Sequence, residues 1–121
     1  MLNYYSPPSR LDPVFHALAD GARRSMLARL SEGPATVGEL AKPLPMSLPA
    51  VLQHLKVLES GGLVRSRKQG RTRVCELEPA ALAAAGDWIN ARRAFWEEAL
   101  HRLGAHLDAD PHSPDPTPED T

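Results

Sequence analysis

Apolar residues recur at helical spacing in the first third of the chain, and this pattern predicts two helices. Asp12 followed by Pro13 is a candidate start for the first helix, whose apolar positions are Val14, Phe15 and Leu18. Asp20 is a candidate N-cap for a second helix that runs to Ser31. Its inward-facing residues are expected to be Ala22, Met26, Leu27 and Leu30.

Two further helices follow, separated by prolines. Thr36 and Glu39 have the spacing of a capping box, and Pro43 and Pro45 limit the helix they open to about two turns. Ser47 then caps a longer helix that ends at Gly61-Gly62. Its predicted buried stripe consists of Leu48, Val51, Leu52, Leu55 and Leu58.

The pattern changes to alternation after residue 62. Residues 63–68 and 72–77 alternate, and Gln69-Gly70-Arg71 lies between them, which predicts a β-hairpin. From Pro79 to about Leu107 a helical pattern returns, with more apolar surface than one face requires. The predicted fold is therefore mainly α with a small β-hairpin, in the order of a winged helix-turn-helix.

Charge is distributed unevenly along the 121 residues. The formal net charge is −1, yet all 14 Lys and Arg and only 10 of the 15 acids lie in residues 1–107, which gives that part a charge of +4. Residues 108–121 are rich in Pro and acids and contain no large apolar residue, so we expect a disordered acidic tail. Residues 1–10 are expected to form a flexible segment, and residues 11–107 one domain.

Several classes of protein are disfavoured by the composition. Cys75 is the single cysteine, so neither an intrachain disulfide nor a cysteine-based zinc site is expected, and a buried structural thiol is the favoured interpretation. The chain lacks an apolar run of about 20 residues and a signal-like start, which favours a cytoplasmic location without membrane association. No phosphate-binding glycine loop or nucleophile motif is present, so an enzyme is not expected.

The helix that begins after Ser47 is the candidate DNA reader. A helix that follows a brace helix and a turn fits the major groove, which is about 12 Å wide, and here residues 37–42 would be the brace. Gln53 can pair with adenine, Ala50 can contact a thymine methyl group, and Ser47 or His54 can bond to a base or a phosphate. The predicted reader residues are Ser47, Pro49, Ala50, Gln53, His54 and Lys56.

The hairpin is the candidate wing. Five cations and no acid occupy nine residues: Arg65, Arg67, Lys68, Arg71 and Arg73. Such a cluster would neutralise phosphates or place an arginine in the minor groove. We expect Arg65, Arg67 and Arg73 to share the outward face, with Lys68 and Arg71 beside the turn. A lone charged hairpin is more often a solvated edge, but its position next to a reader helix favours DNA contact.

The ordered set of these segments resembles the ArsR family of bacterial winged-helix repressors. The segments are residues 12–20 (DPVFHALAD), 22–24 (ARR), 36–41 (TVGELA), 46–51 (MSLPAV), 53–59 (QHLKVLE), 62–64 (GLV) and 70–71 (GR), followed by Trp88 and Phe95-Trp96-Glu97. The resemblance implies a homodimer that represses operons by binding imperfect palindromes in double-stranded DNA. It also implies a dimer interface from the first and last helices, and the apolar excess there falls on Val14, Phe15, Trp88, Trp96, Leu100 and Leu103.

The resemblance raises the question of a metal sensor. Relatives with paired cysteines after Glu-Leu bind metals there, whereas this chain reads Glu39-Leu-Ala-Lys-Pro43. A second family mode uses Asp and His on the last helix, where this chain has Asp87, Glu97, Glu98, His101 and His106. The two histidines are five residues apart, and only Glu97 or Glu98 with His101 suits one helix face, so no metal or other cofactor is predicted.

Two alternatives to the DNA-binding repressor are also consistent with the sequence. The same fold could serve as a protein-interaction module that does not bind DNA, although such a module would not need five cations in its wing. The chain could also be a metal-responsive repressor that uses ligands on the last helix. The sequence leaves open a small-molecule effector, the operator and the regulated genes.

Overall fold

The computed structural model describes residues 10–109 and has the predicted order of elements. Two helices precede a short strand, a short helix and a longer helix, and a hairpin and one long helix complete the chain. The elements are α1 Leu11–Leu18, α2 Gly21–Leu30, β1 Ala35–Thr36, α3 Val37–Ala41, α4 Leu48–Ser60, β2 Val64–Gln69, β3 Thr72–Leu77 and α5 Pro79–Ala109. The predicted winged helix-turn-helix is confirmed.

Local capping interactions start three of the helices where the sequence predicts. The Asp20 carboxylate accepts the backbone N–H of Arg23 at 3.1 Å at the start of α2. Thr36 and Glu39 form the complete capping box of α3, with bonds of 2.8 and 3.0 Å. The Ser47 hydroxyl accepts the backbone N–H of Ala50 at 3.3 Å and caps α4. Each cap satisfies a backbone donor that the helix itself cannot.

The predicted start of α1 is wrong. The helix begins at Leu11, its N-cap is Arg10, and no side chain caps it. Asp12 therefore lies inside the first turn, where a carboxylate still interacts favourably with the positive end of the helix dipole. Pro13 lies in this first turn as well, where its missing N–H costs no helical hydrogen bond.

The hairpin is part of a three-stranded antiparallel sheet with the order β1-β3-β2. Gln69 pairs with Thr72, so Gly70 and Arg71 form a two-residue turn. Gly70 has a φ of 67°, a conformation that favours glycine. Strand β1 was not predicted because its two residues are too few to show alternation; it pairs Ala35 with Cys75 and Thr36 with Val74.

Among residues 10–109, an apolar core lies between α1, α2, α3, α4, the sheet and the start of α5. Its fully buried side chains include Met26, Leu40, Val51, Leu58, Leu63 and Cys75. The predicted stripe of α4 is wider than the real one, because Leu48 and Leu52 are 53% and 42% exposed. The buried thiol of Cys75 agrees with a structural role, and its burial raises the pKa of this thiol.

The first helix contributes mainly to this core. Val14 is only 2% exposed and packs inside the protomer, so its predicted place in a dimer interface is wrong. It faces inward because α1 packs on both α2 and α4, which leaves no free surface at this position. Phe15 is half-buried against the same core.

The long helix α5 begins in one compact unit, which ends at Gly86, and from Asp87 onward forms a second unit. It includes Asp108 and Ala109, which were predicted to belong to the disordered tail. The rest of that tail, residues 110–121, and residues 1–9 of the predicted flexible segment lie outside the described residues. No helix between residues 10 and 109 combines the length and the apolar character that a membrane span requires.

Gly61 provides a test of the packing between α1 and the end of α4. A Cβ at this position would lie 3.0 Å from the Pro13 carbonyl oxygen and 3.4 Å from the Ala17 Cβ, and backbone cannot move aside cheaply. We therefore expect Gly61→Ala to lower the free energy of unfolding by about 1–3 kcal/mol in urea denaturation.

Gly86→Ala is the matched control. A Cβ at Gly86 would meet no atom within 4 Å, and the position is inside a helix. Alanine there should raise stability by about 0.5–1 kcal/mol. A Gly61→Ala protein as stable as the wild type would show that the two helices are less tightly packed than the structure indicates.

Candidate nucleic-acid interface

The helix-turn-helix consists of α3, a connection over residues 42–47, and α4. Two backbone bonds order this connection, from Leu44 N–H to the Ala41 carbonyl at 3.0 Å and from Met46 N–H to the Leu44 carbonyl at 2.9 Å. Leu40 is buried on α3, and Leu44 and Met46 pack against the core. The start of α4 is thereby held in a fixed position relative to α3.

One face of α4 is buried, and the opposite face contains three of the predicted reader residues. Val51, Leu55 and Leu58 are at most 3% exposed, which fixes the rotation of the helix about its axis. Since successive residues are about 100° apart around a helix, Pro49, Gln53 and Lys56 lie opposite this stripe. All three are exposed. We call them the outer face of α4.

His54 and Ala50 lie on the flank of α4 that faces α2. Both are half-buried, and His54 Nδ1 lies 3.1 Å from an Arg23 guanidinium nitrogen. Arg23 also donates to the carbonyls of His16 at 3.1 Å and Ala17 at 2.8 Å. Because arginine can only donate, Nδ1 of His54 accepts, and the proton of the neutral ring is on Nε2. No local sequence pattern indicates this contact, because 31 residues separate its partners.

Asp20 completes this small polar group. Its carboxylate lies 3.9 Å from His54 Nδ1. The backbone N–H of Arg23, which donates to this carboxylate, and the positive charge of Arg23 lower the pKa of Asp20. Asp20 therefore stays ionised at neutral pH, caps α2 and adds a negative charge beside the α2-facing flank of α4.

The register of the wing places its cations on two faces. Residues opposite each other across strands share a face, so Arg65 and Arg67 lie together with Glu76 and Val74, their partners in β3. Arg73 is opposite Lys68 and lies on the other face. The prediction that Arg73 shares the outward face with Arg65 and Arg67 is therefore wrong. The two-residue turn shifts β3 so that Arg73 falls on the face of Ser66 and Cys75.

Acids from outside the cluster partly neutralise the wing. Arg65 lies 3.7 Å from the Glu76 carboxylate and 3.4 Å from that of Glu78. Arg73 donates to the Ser66 hydroxyl at 2.8 Å and lies 3.5 Å from Glu59, to which Ser66 also donates. Counting across the two-residue turn could have revealed the Arg65–Glu76 pair, whereas the Glu59 contact depends on packing.

Three wing cations remain without an ion pair among residues 10–109. These are Arg67, Lys68 and Arg71, and all three are exposed at or next to the turn. The tip of the hairpin thus has three exposed positive charges without an ion-pair partner in the described part of the chain. We call these residues the wing tip.

Beyond Gly86, α5 has a broad exposed apolar stripe. Trp96, Leu100 and Leu103 of the predicted interface are 62%, 60% and 54% exposed, and Trp88 is 45% exposed. The Phe95 and Trp96 rings are in edge-to-face contact at 6.4 Å, and Arg92 lies over the Trp88 ring at 5.0 Å. Ile89, Phe95 and Leu107 are further exposed members of the stripe, and they belong to the predicted helix but not to the predicted interface.

The residues considered for a metal site do not come together within one described chain. Among residues 10–109, no group of three or more His, Cys, Asp or Glu side chains is arranged to hold a metal ion. Glu98, one of the considered ligands, instead lies 3.5 Å from Arg102 one helical turn later.

Comparison with known proteins agrees with this architecture. Residues 18–67 match a family model described as a helix-turn-helix domain. The chain is 44% identical over 110 residues to the HTH-type transcriptional regulator Rv2034 of Mycobacterium tuberculosis, and the match covers 91% of this chain and 96% of that protein.

Solved structures give the same result. The ArsR family transcriptional regulator RHA00566 is 46% identical, with a TM-score of 0.69, over 74% of this chain and 98% of that one. The homodimeric winged helix-turn-helix DNA-binding domain of Mb0332 from Mycobacterium bovis is 27% identical, with a TM-score of 0.55, over 77% of this chain and 83% of that one. With the fold, the outer face of α4 and the cationic wing, these similarities show that the chain belongs to the ArsR family of helix-turn-helix, DNA-binding transcriptional regulators.

Proposed function

We propose that this protein is a homodimeric repressor that binds an imperfect palindrome through the helix at residues 47–60 and the wing at residues 64–77. The observation that carries the proposal is the combination of the exposed outer face of α4 with the unpaired cations of the wing tip. In a winged helix-turn-helix, one element enters the major groove and the other reaches the neighbouring backbone or minor groove.

Base reading is assigned mainly to the outer face of α4. Gln53 is exposed there and can donate and accept in a bidentate pair with adenine, worth about 1–3 kcal/mol of discrimination. Lys56 is positioned for a phosphate or a guanine. Pro49 offers only an apolar contact surface, close to the N-terminal end of α4.

The remaining predicted reader residues have supporting roles. The Ser47 hydroxyl accepts from the Ala50 N–H but keeps its own proton for a phosphate oxygen. His54 has its Nδ1 occupied by Arg23, so its Nε2–H is the group left to donate to the DNA backbone. Ala50 is half-buried on the same flank, which leaves its methyl group a limited contact area.

The wing has two kinds of cation, those without an ion pair in the described chain and those in exposed ion pairs. Arg67, Lys68 and Arg71 of the wing tip can bind phosphates without breaking an ion pair of the described chain. The Arg65 and Arg73 side chains are 68% and 56% exposed, and exposed ion pairs contribute about 1 kcal/mol or less to stability. Breaking these ion pairs so that the two arginines contact DNA phosphates therefore costs little free energy.

Dimerisation is assigned to α5. The apolar stripe from Trp88 to Leu103 is too large to be an ordinary solvated surface, and a second copy of the same stripe would cover it in an isologous interface. The homodimeric relative Mb0332 supports the same state for this chain. Two copies of α4 would then read half-sites about 10 bp, or a multiple of this, apart.

Repression is the activity that the family resemblance implies, and one set of assays tests it together with DNA binding. A duplex is first selected from a randomised DNA pool with the full-length protein, and its affinity is measured by fluorescence anisotropy against a scrambled duplex in a salt series. We expect selective binding with a steep negative salt slope, and reduced transcription from a promoter that overlaps the selected site. Weak binding without sequence preference would contradict the proposal, and increased transcription would contradict repression.

Two substitutions separate base reading from phosphate binding. Gln53→Ala should weaken binding to the selected duplex and relax its sequence preference, because it removes a base contact. Arg71→Ala should weaken binding to selected and scrambled duplexes about equally and reduce the salt slope by about one, because it removes a phosphate contact. An unchanged preference in the Gln53 variant would exclude this residue from base reading.

The stripe on α5 can be tested in the absence of DNA. Trp96→Ala and Leu103→Ala should each weaken the dimer in sedimentation equilibrium, and operator affinity should fall with it, because half of the binding site is lost. Asn90→Ala is the control, since Asn90 lies on the opposite side of α5 and is also exposed. A monomeric wild type at micromolar concentration would refute this interface.

A further inference from the structure

We infer that Leu48 and Leu52 are specificity residues that contact thymine methyl groups in the major groove. The inference rests on the proposed DNA-binding function and concerns a different flank of α4 from the residues considered above. Leu48 is 53% exposed and Leu52 is 42% exposed, although both belong to the helix whose other leucines, Leu55 and Leu58, are almost completely buried.

The two leucines lie one above the other on the same flank of α4. They are four residues apart, so their side chains are neighbours along the helix axis. Their flank adjoins the outer face with Gln53 and Lys56 and is opposite the flank where His54 contacts Arg23. Both leucines are in the N-terminal half of the helix, the half that contacts base edges when such a helix docks.

The surroundings of Leu52 show what kind of partner fits there. Leu52 borders a cleft of about 330 Å³ between α4 and the wing, together with Lys56, Glu59, Arg73 and Leu55. Glu59 and Arg73 pair with each other, so Lys56 contributes the one unpaired charge of this cleft among residues 10–109, beside the apolar Leu52 and Leu55. This cleft would complement a partner whose apolar groups are bordered by negative charge.

Thymine-containing duplex DNA has that arrangement. Its major groove presents the thymine C5-methyl group as an apolar contact, and phosphates line the groove on both sides. The leucines and Lys56 lie on one continuous surface, so a duplex that reaches Lys56 or the wing tip with its phosphates also passes over Leu48 and Leu52. Leucine cannot hydrogen-bond to a base, and the methyl group is the only base feature that it can distinguish through apolar contact.

The experiment removes the methyl groups and leaves every hydrogen bond of the bases unchanged. The duplex selected from the randomised pool is resynthesised with deoxyuridine in place of each thymine in turn, and dissociation constants are measured for both versions. For the wild type, loss of one contacted methyl group should raise the dissociation constant about fourfold, the effect of one buried methyl-sized group. Two positions in each half-site should respond.

Variants then assign each methyl group to a side chain. Leu52→Ala should bind thymine and deoxyuridine equally at one of the two positions, and Leu48→Ala should do so at the other. Leu52→Met keeps the apolar reach and should preserve the thymine preference. Lys56→Ala is the control from the same helix, and it should weaken both duplexes by the same factor. All three substituted positions are exposed, so the melting temperatures of the four variants should remain close to that of the wild type.

The outcomes distinguish this inference from the proposed function. If no duplex is selected, DNA binding and the methyl contact both fail. If a duplex is selected and bound equally well with thymine and deoxyuridine at every position, the methyl contact is refuted while DNA binding stands. A thymine preference that persists in the Leu48→Ala and Leu52→Ala variants would also refute the assignment, and would place the methyl contact on other residues.

Discussion

The structure depends on how the buried stripe of α4 fits into the core. Val51, Leu55 and Leu58 are almost fully excluded from water, and each such side chain contributes about 1.5–3 kcal/mol to the hydrophobic stabilisation. Turning α4 about its own axis by one residue would bury the charged Lys56 or expose the apolar Val51. The helix therefore has one favourable orientation about its axis. Burial in the core thereby determines which residues α4 presents to a partner.

The wing obeys a second constraint, which comes from its turn. The positive φ of Gly70 and the two-residue loop fix the pairing of Arg65 with Glu76 and of Lys68 with Arg73. A shift of one residue would move Cys75 from the core to solvent. With the register that buries this thiol, Arg65 and Arg73 have ion-pair partners, whereas Arg67, Lys68 and Arg71 have none among residues 10–109.

The sequence predicted the local features well because local interactions determine them. The caps at Asp20, Thr36 and Ser47, the hairpin turn and the length of α5 all follow from residues close together in the chain. The start of α1 and the face of Arg73 are local exceptions, and the other errors concern contacts between distant segments. Leu48, Leu52 and Val14 have the same apolar character as their neighbours, and only the positions of the surrounding elements decide which are buried. The partners of Arg73 and His54 likewise lie on other elements, so charge patterns along the chain overestimated the free charge of the wing.

The second unit adds a thermodynamic link between folding and assembly. From Asp87 to Asp108 the side chains of α5 are exposed apart from Ala99, which is half-buried. A helix without a buried face is only marginally stable in water, since most helical stability in proteins comes from packing. In the proposed dimer, covering the apolar stripe would stabilise this part of α5 at the same step that pairs the two copies of α4. Affinity for a palindrome would then depend on protein concentration, because a protomer alone has both a less stable α5 and only one reader helix.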